Sequence, residues 1–240
     1  MHKFWIPGVI GLASVGGLLL VGLAGCQSGG AARSETLTSE TRATMTPQEV
    51  LADLKAGNER FVSGNSTRQA WLTQAEATAG GQFPKAIVLS CLDSRVPPEI
   101  VFDQGIGDIF VGRVAGNFVN TDLLGSFEFG TAVAGAKVIV VLGHTSCGAV
   151  KGAIDRAELG NLTSTLTNIE PAVAAAGGMG ERTSRNLALV ERVTIENVRH
   201  TVNEVTARSA VLAGLVEDGK LIVVGGVYDL TTGEITWLDS

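Results

Sequence analysis

Four short runs of nearly uninterrupted apolar residues constrain this chain most: Ala86–Ser90 (AIVLS), Ile109–Val114, Val138–Gly143 (VIVVLG) and Leu221–Tyr228 (LIVVGGVY). Strands with one wet face alternate apolar and polar residues. Runs without alternation are expected of parallel strands covered on both faces. Helical stretches separate them: Asp122–Ala134, Ala149–Leu159, Leu162–Ala176 and Asn186–Leu215. Upstream, Thr46-Pro47-Gln48-Glu49 is a capping box with Pro at the first helical position. Val50, Leu51, Leu54 and Phe61 then recur at helical spacing, which predicts a helix over 47–63. Residues 64–82 are expected to form a loop with a short helix around Trp71–Thr78. Glu234–Trp237, after the turn Thr231-Thr232-Gly233, reads as a short fifth strand, antiparallel at an edge. The fold class is therefore α/β: a mostly parallel sheet of four strands plus an edge strand, flanked by helices. Ligands in such sheets sit beyond the C-terminal ends of the strands. Chemistry is expected just after residues 90, 114, 143 and 228.

Charge and composition exclude some functions. The chain carries 18 Lys+Arg against 24 Asp+Glu, a net charge of −6. A general nucleic-acid binder carries a basic surplus instead, so no nucleic-acid partner is expected. Hydrophobic residues make up 45% and charged residues 18%, which argues against disorder over the whole length. Glycine is frequent, 31 of 240 residues, and suits tight turns and close approach of backbone to a ligand. Gly105-x-Gly107 lacks a phosphate-binding context, so no nucleotide cofactor is suggested.

The first segment reads as an address. His2 and Lys3 are followed by an apolar run from Val9 to Ala24, ending in Leu23-Ala24-Gly25-Cys26. This resembles a bacterial lipoprotein signal, cut before the cysteine, with Cys26 then acylated. The run is short for a spanning helix, which needs ~20 apolar residues; an uncleaved N-terminal anchor is the other reading. Both make the protein exported and membrane-anchored, on the periplasmic side or the cell surface. Residues 26–45 are polar, rich in Ser, Thr and Gly, and are expected to be a flexible tether. The folded domain is then 46–240.

Two chemical clusters stand where the strands end. Cys91-Leu92-Asp93-Ser94-Arg95 follows the first strand, and His144-Thr145-Ser146-Cys147-Gly148 follows the third. Two thiols and an imidazole suit Zn²⁺. Three protein ligands leave a fourth tetrahedral position open, as in a catalytic site where the metal lowers the pKa of bound water to ~7.

Here the sequence resembles the β-class carbonic anhydrases over most of 46–240. The resemblance rests on Cys91-x-Asp93-x-Arg95, on His144-x-x-Cys147 followed by Gly148, and on Phe110-x-x-Arg113-x-x-x-Asn117. It implies zinc held by Cys91, His144 and Cys147, with Asp93 and Arg95 as a dyad beside the metal. Asp93 is a zinc ligand only in a closed state. It also implies that Gln82 and Gly148 contact substrate and that Phe110, Ala115 and Phe129 line an apolar CO₂ pocket. The family often has Val at the position of Ala115 and Tyr at that of Phe129. Part of that pocket comes from a second subunit in the family, which implies a homodimer or a multiple of dimers. The implied reaction is reversible hydration of CO₂ to bicarbonate and a proton. Some members close at low pH with help from a tryptophan three residues before the first zinc cysteine. Val88 stands there, so an open site is expected at neutral pH.

Other readings remain at this point. The same site could act on carbonyl sulfide or carbon disulfide. A non-catalytic zinc-binding surface protein, a thiol enzyme with Cys147 activated by His144, and a Cys91–Cys147 disulfide complete the set. His200 reads as a solvated histidine.

Overall fold

A computed structural model describes residues 31–178 and 180–239. The signal segment and Cys26 lie outside the described residues. Five strands form one sheet: β1 (Ala86–Ser90), β2 (Ile109–Arg113), β3 (Val138–His144), β4 (Ile222–Tyr228) and β5 (Ile235–Trp237). Their order is β2-β1-β3-β4-β5. The first four are parallel, and β5 is antiparallel to β4 at one edge. This is the α/β sheet expected from the four apolar runs.

Side chains alternate between two cores, one on each face of the sheet. Val88, Val138, Val140 and Leu142 pack with Val50 and Leu54 of helix α2 (Pro47–Val62) and with Val101 and Phe102. Ile87, Leu89, Ile139 and Val141 face the other way. They meet Leu124 and Phe127 of α5 (Thr121–Glu128), Val198 and Val205 of α9 (Leu187–Ala207) and Leu212 of α10 (Ala210–Glu217). Gly143 lets α9 lie against β3, since a Cβ there would stand 2.6 Å from a Val198 methyl.

The remaining helices are α1 (Ser39–Thr44), α3 (Trp71–Thr78), α4 (Pro98–Val101), α6 (Gly148–Asp155), α7 (Gly160–Thr167) and α8 (Glu170–Ala175). The capping box that opens α2 is present in both directions, Glu49 N–H to Thr46 Oγ1 at 3.2 Å and Thr46 N–H to Glu49 Oε2 at 2.7 Å. Two long predicted helices are in fact broken. The 186–215 stretch stops at Arg208, and Ser209 restarts it by accepting from Leu212 N–H at 3.2 Å. The 162–176 stretch divides at Asn168–Ile169, where Asn168 bonds back to the Ser164 carbonyl and Pro171 opens the next helix. The 122–134 stretch ends in a π turn, Phe129–Val133.

The tether expectation fails from residue 33 onward. Arg33 N–H donates to the Arg68 carbonyl at 2.8 Å, and Ala70 N–H donates to the Arg33 carbonyl at 2.9 Å. The Arg33 guanidinium grips buried Asp108 at 2.7 and 3.2 Å. Helix α1 follows, capped by Thr38. Arg42 donates to the Ala134 carbonyl and stacks 5.6 Å above the Phe83 ring. Lys137 donates to the carbonyls of Ala43, at 3.0 Å, and Met45. Residues 33–45 therefore form an arm strapped across the N-terminal ends of β1–β3. Composition suggested a loose polar segment because the anchoring partners are remote in sequence.

Candidate metal centre

β1 and β3 are adjacent and in register, with Ser90 opposite Leu142. Cys91 leaves β1 where His144 ends β3, and a short turn brings Cys147 back as the residue that caps the start of α6. That turn needs a left-handed residue, and Ser146 supplies it with φ of 56°. All three side chains are buried, and their ligand atoms lie within 4.8 Å of one another.

The two sulfurs are 3.8 Å apart, and both cysteines are free thiols. A disulfide needs about 2.05 Å, so the disulfide alternative is ruled out here. Two thiolates at about 2.3 Å from a tetrahedral ion would stand ~3.8 Å apart, which this pair matches. His144 Nδ1 lies 2.9 Å from the Thr145 carbonyl, so Nδ1 carries the proton and Nε2 presents its lone pair. That buried Nε2 has no hydrogen-bond partner. An unpartnered buried acceptor is costly, and a cation between it and two sulfurs relieves the cost. These residues fit a tetrahedral thiolate–imidazole ion such as Zn²⁺.

Charge agrees with geometry. The hydrogen bond from Cys147 pushes the Cys91 thiol down to about 4 against the opposing effect of burial, with His144 and the Gly116 N–H helping. The same shared proton, then burial, pushes Cys147 up. Metal binding displaces thiol protons, and the lowered Cys91 favours that exchange.

Several groups position the cluster. Gly116 N–H points at Cys91 Sγ from 3.4 Å. Only glycine fits there: φ is +89°, and a Cβ would stand 2.5 Å from Ile169 Cδ1. Asn197 of α9 holds the Gly116 carbonyl at 2.8 Å. Arg113 donates to the Cys91 carbonyl at 3.0 Å and to the Asp93 carbonyl. Asp93 is gripped bidentately by Arg95, at 2.9 and 2.7 Å, with the Arg95 N–H adding a third bond at 3.0 Å. The Arg95 hydrogen bonds hold its carboxyl well below the usual carboxylate range. Asp93 Oδ2 lies 3.8 Å from His144 Nε2, beside the ligand cluster but turned to Arg95.

The other site residues predicted from sequence divide into two groups. Ala115 adjoins Gly116, and Gly148 adjoins Cys147; both sit at the C-terminal edge. Gln82 is exposed in the segment before β1, at the opposite end of that strand. Phe110 stands opposite Ile87, three residues short of the C-terminal edge. Phe129 packs edge-on to it at 6.5 Å and is 54% exposed. The fold therefore does not carry Gln82, Phe110 or Phe129 to the cysteine–histidine cluster of the same chain. Sequence reasoning missed Asn197. Its signal was a polar residue inside the apolar stripe Val190, Val193, Val198 and Val205 of α9.

Comparison with known proteins matches this geometry. The family pattern described as carbonic anhydrase covers residues 86–235. Carbonic anhydrase 2 of Mycobacterium tuberculosis is 38% identical over 188 residues, covering 78% of this chain and 90% of that protein. The β-carbonic anhydrase CafA of Aspergillus fumigatus superposes with a TM-score of 0.61 at 27% identity, over 80% of this chain and 90% of that one. One of two tetrameric β-carbonic anhydrases from Sordaria macrospora shares the fold, with a TM-score of 0.62 at 24% identity, over 77% and 98% of the two chains. With paired sulfurs, a bare imidazole nitrogen and an arginine-held aspartate at the sheet's C-terminal edge, this chain belongs to the β-class carbonic anhydrases.

Proposed function

We propose that the protein hydrates CO₂ reversibly to bicarbonate and a proton, using zinc held by Cys91, His144 and Cys147. The unpartnered, buried His144 Nε2 facing two sulfurs 3.8 Å apart is the observation that carries this reading. Zinc there supplies Lewis acidity that makes water a usable nucleophile near neutral pH. The chain's own residues do the rest. The Thr145 carbonyl fixes the His144 tautomer, and the Gly116 N–H steadies the Cys91 thiolate. Asp93 accepts a hydrogen bond from the nucleophile and orients it toward carbon. Arg95 keeps Asp93 off the metal position, which supports an open site. In this reading the Gly148 N–H donates a hydrogen bond to the oxygen that becomes negative as bicarbonate forms.

Gln82, Phe110 and Phe129 serve the centre of a second copy in this reading, while Ala115 lines the chain's own. Phe129 and Val133, 54% and 74% exposed beside the open edge of β2, support a homodimeric contact there. We also propose export and anchoring through a lipid on Cys26. The test is zinc stoichiometry together with stopped-flow CO₂ hydration on the full chain. One zinc per chain and hydration that both disappear in Cys147→Ser would support the proposal. Full zinc without CO₂ turnover would refute it, and rates on carbonyl sulfide and carbon disulfide would then be measured.

A further inference from the structure

The arm clamps the chain to the domain at Arg33. Arg33 is clamped between Arg68 and Ala70 by two backbone bonds and to Asp108 by its guanidinium. Cys26 is seven residues upstream, which is at most about 25 Å of extended chain. The clamp also ends one residue before α3, whose first two side chains are Trp71, 49% exposed, and Leu72, 73% exposed. Arg68, on the other side of the clamp, is exposed and makes no ion pair among the described residues. Single exposed apolar residues need no explanation on a free domain. Here they adjoin the point from which the chain runs to the acylation site.

We infer that the Arg68–Trp71–Leu72 corner is a membrane-contacting surface, seated in the headgroup region of a phospholipid bilayer beside the lipid on Cys26. The inference rests on the lipid anchor proposed above. Indole rings favour the membrane–water interface, leucine adds buried apolar area, and arginine is attracted by anionic headgroups. Exposed Glu76, one turn beyond Leu72, keeps the rest of α3 in water. Acyl chains already supply stable attachment, so this corner sets orientation. It packs on the loop that enters β2, with Gln74 accepting from Ile106 N–H at 3.2 Å, and so lies at the N-terminal ends of the strands. The seven residues of β3 span about 23 Å. The chain's own cysteine–histidine centre, at the other ends of the strands, then lies about that far from the lipid.

The test uses full-length protein reconstituted in phosphatidylethanolamine–phosphatidylglycerol vesicles whose acyl chains carry bromine. The mass of the N-terminal peptide reads acylation of Cys26. After signal cleavage only Trp71 and Trp237 remain, and Trp237 packs on Phe102 at 6.2 Å. Wild type should lose tryptophan emission that Trp71→Phe does not lose, and bromine near the headgroup should quench more than bromine at the chain end. Leu72→Gln should weaken the quenching, and both variants should keep CO₂ hydration in detergent. Acylated protein with equal quenching in wild type and Trp71→Phe would overturn the surface while leaving the anchor standing. Emission of Trp71 that follows protein concentration instead of bromine would assign the corner to a second copy and also overturn it. A Cys26 without acyl chains would remove the anchor reading and this inference with it.

Discussion

At the N-terminal ends of the strands, charged side chains meet partners: Lys85 lies 2.7 Å from Asp53, Arg33 grips Asp108, and Lys137 donates to two arm carbonyls. At the C-terminal ends Asp93 and Arg95 are paired too, but the ligand cluster itself is not. His144 Nε2 is unpartnered, the two free thiols face each other at 3.8 Å, and Ser146 and Asn117 sit at positive φ. Strain and unsatisfied polar atoms persist only where the surrounding structure enforces them, and they cluster at functional sites. One edge of the sheet is thus arranged to hold the chain together, and the other to hold an ion. The two should separate experimentally: damage at the ion edge removes activity, and damage at the arm edge removes stability.

The largest effect is expected at the ion. Cys147→Ser or His144→Ala should lower CO₂ hydration by more than ~100-fold, the upper range for losing a mere supporting contact, and should release the metal. Metal analysis beside the rate measurement checks this. A variant with full zinc and normal turnover would break the ligand assignment. Next comes the arm. Asp108→Ala removes both Arg33 bonds and the acceptor of Gly105 N–H at 2.7 Å. Breaking this buried, charge-assisted cluster should cost about 3 kcal/mol, moderated because Arg33 is partly exposed. For a chain of this size that is a fall of about 6–12 °C in Tm. Turnover per folded molecule should stay near wild type. A loss of activity at unchanged Tm would erase the distinction between the edges.

The sequence disclosed the two edges unequally. Strand limits were legible to a residue or so because buried parallel strands are uninterrupted apolar runs, and no other local pattern competes. Cys91, His144 and Cys147 were legible because they directly follow those strands, where a parallel sheet binds ligands. The arm was not legible. Arg33 and Arg42 lie in a polar stretch, and their partners Asp108 and Ala134 are 75 and 92 residues away. Composition reports nothing about such pairs. The helix breaks at Ser209 and Asn168 were missed for a related reason: the apolar period continues across them, and only the capping bonds reveal the stop. The placement of Gln82, Phe110 and Phe129 was hidden because register, not residue type, decides how far along a strand a side chain stands.

A smaller effect sharpens the account of the ion edge. Arg95→Ala frees Asp93 to turn toward the ligand cluster, a movement bounded by the 3.8 Å between Oδ2 and His144 Nε2. Hydration should fall ~10–100-fold, the scale of outer-shell losses, with zinc content unchanged. That signature differs from ligand loss, and X-ray absorption would read the added oxygen ligand. Val88 is fully buried between β2 and β3, so wild type should show no sigmoidal inhibition by bicarbonate. A sigmoidal curve, or an oxygen ligand from Asp93 in wild type near pH 7–8, would replace the open site with a closed one.

The smallest effect concerns what the dyad contributes to folding. Arg95 holds the Asp93 carboxyl below its ordinary range. A group whose folded pKa is depressed stabilises above its unfolded value and loses that contribution as pH falls through the folded one. The loss should therefore begin as pH drops below ~4, the ordinary value for aspartate, and continue downward. The Arg95 side chain is 59% exposed, so water and salt screen the pair and its contribution is small. Asp93→Asn has no titrating carboxyl at this position. Its stability deficit relative to wild type, measured by urea unfolding, should be small at pH 7, well below that of Asp108→Ala, and should shrink as pH falls below ~4. A deficit as large as that of Asp108→Ala would make the dyad a structural clamp. It would add a stabilising clamp to the edge assigned here to the ligand cluster.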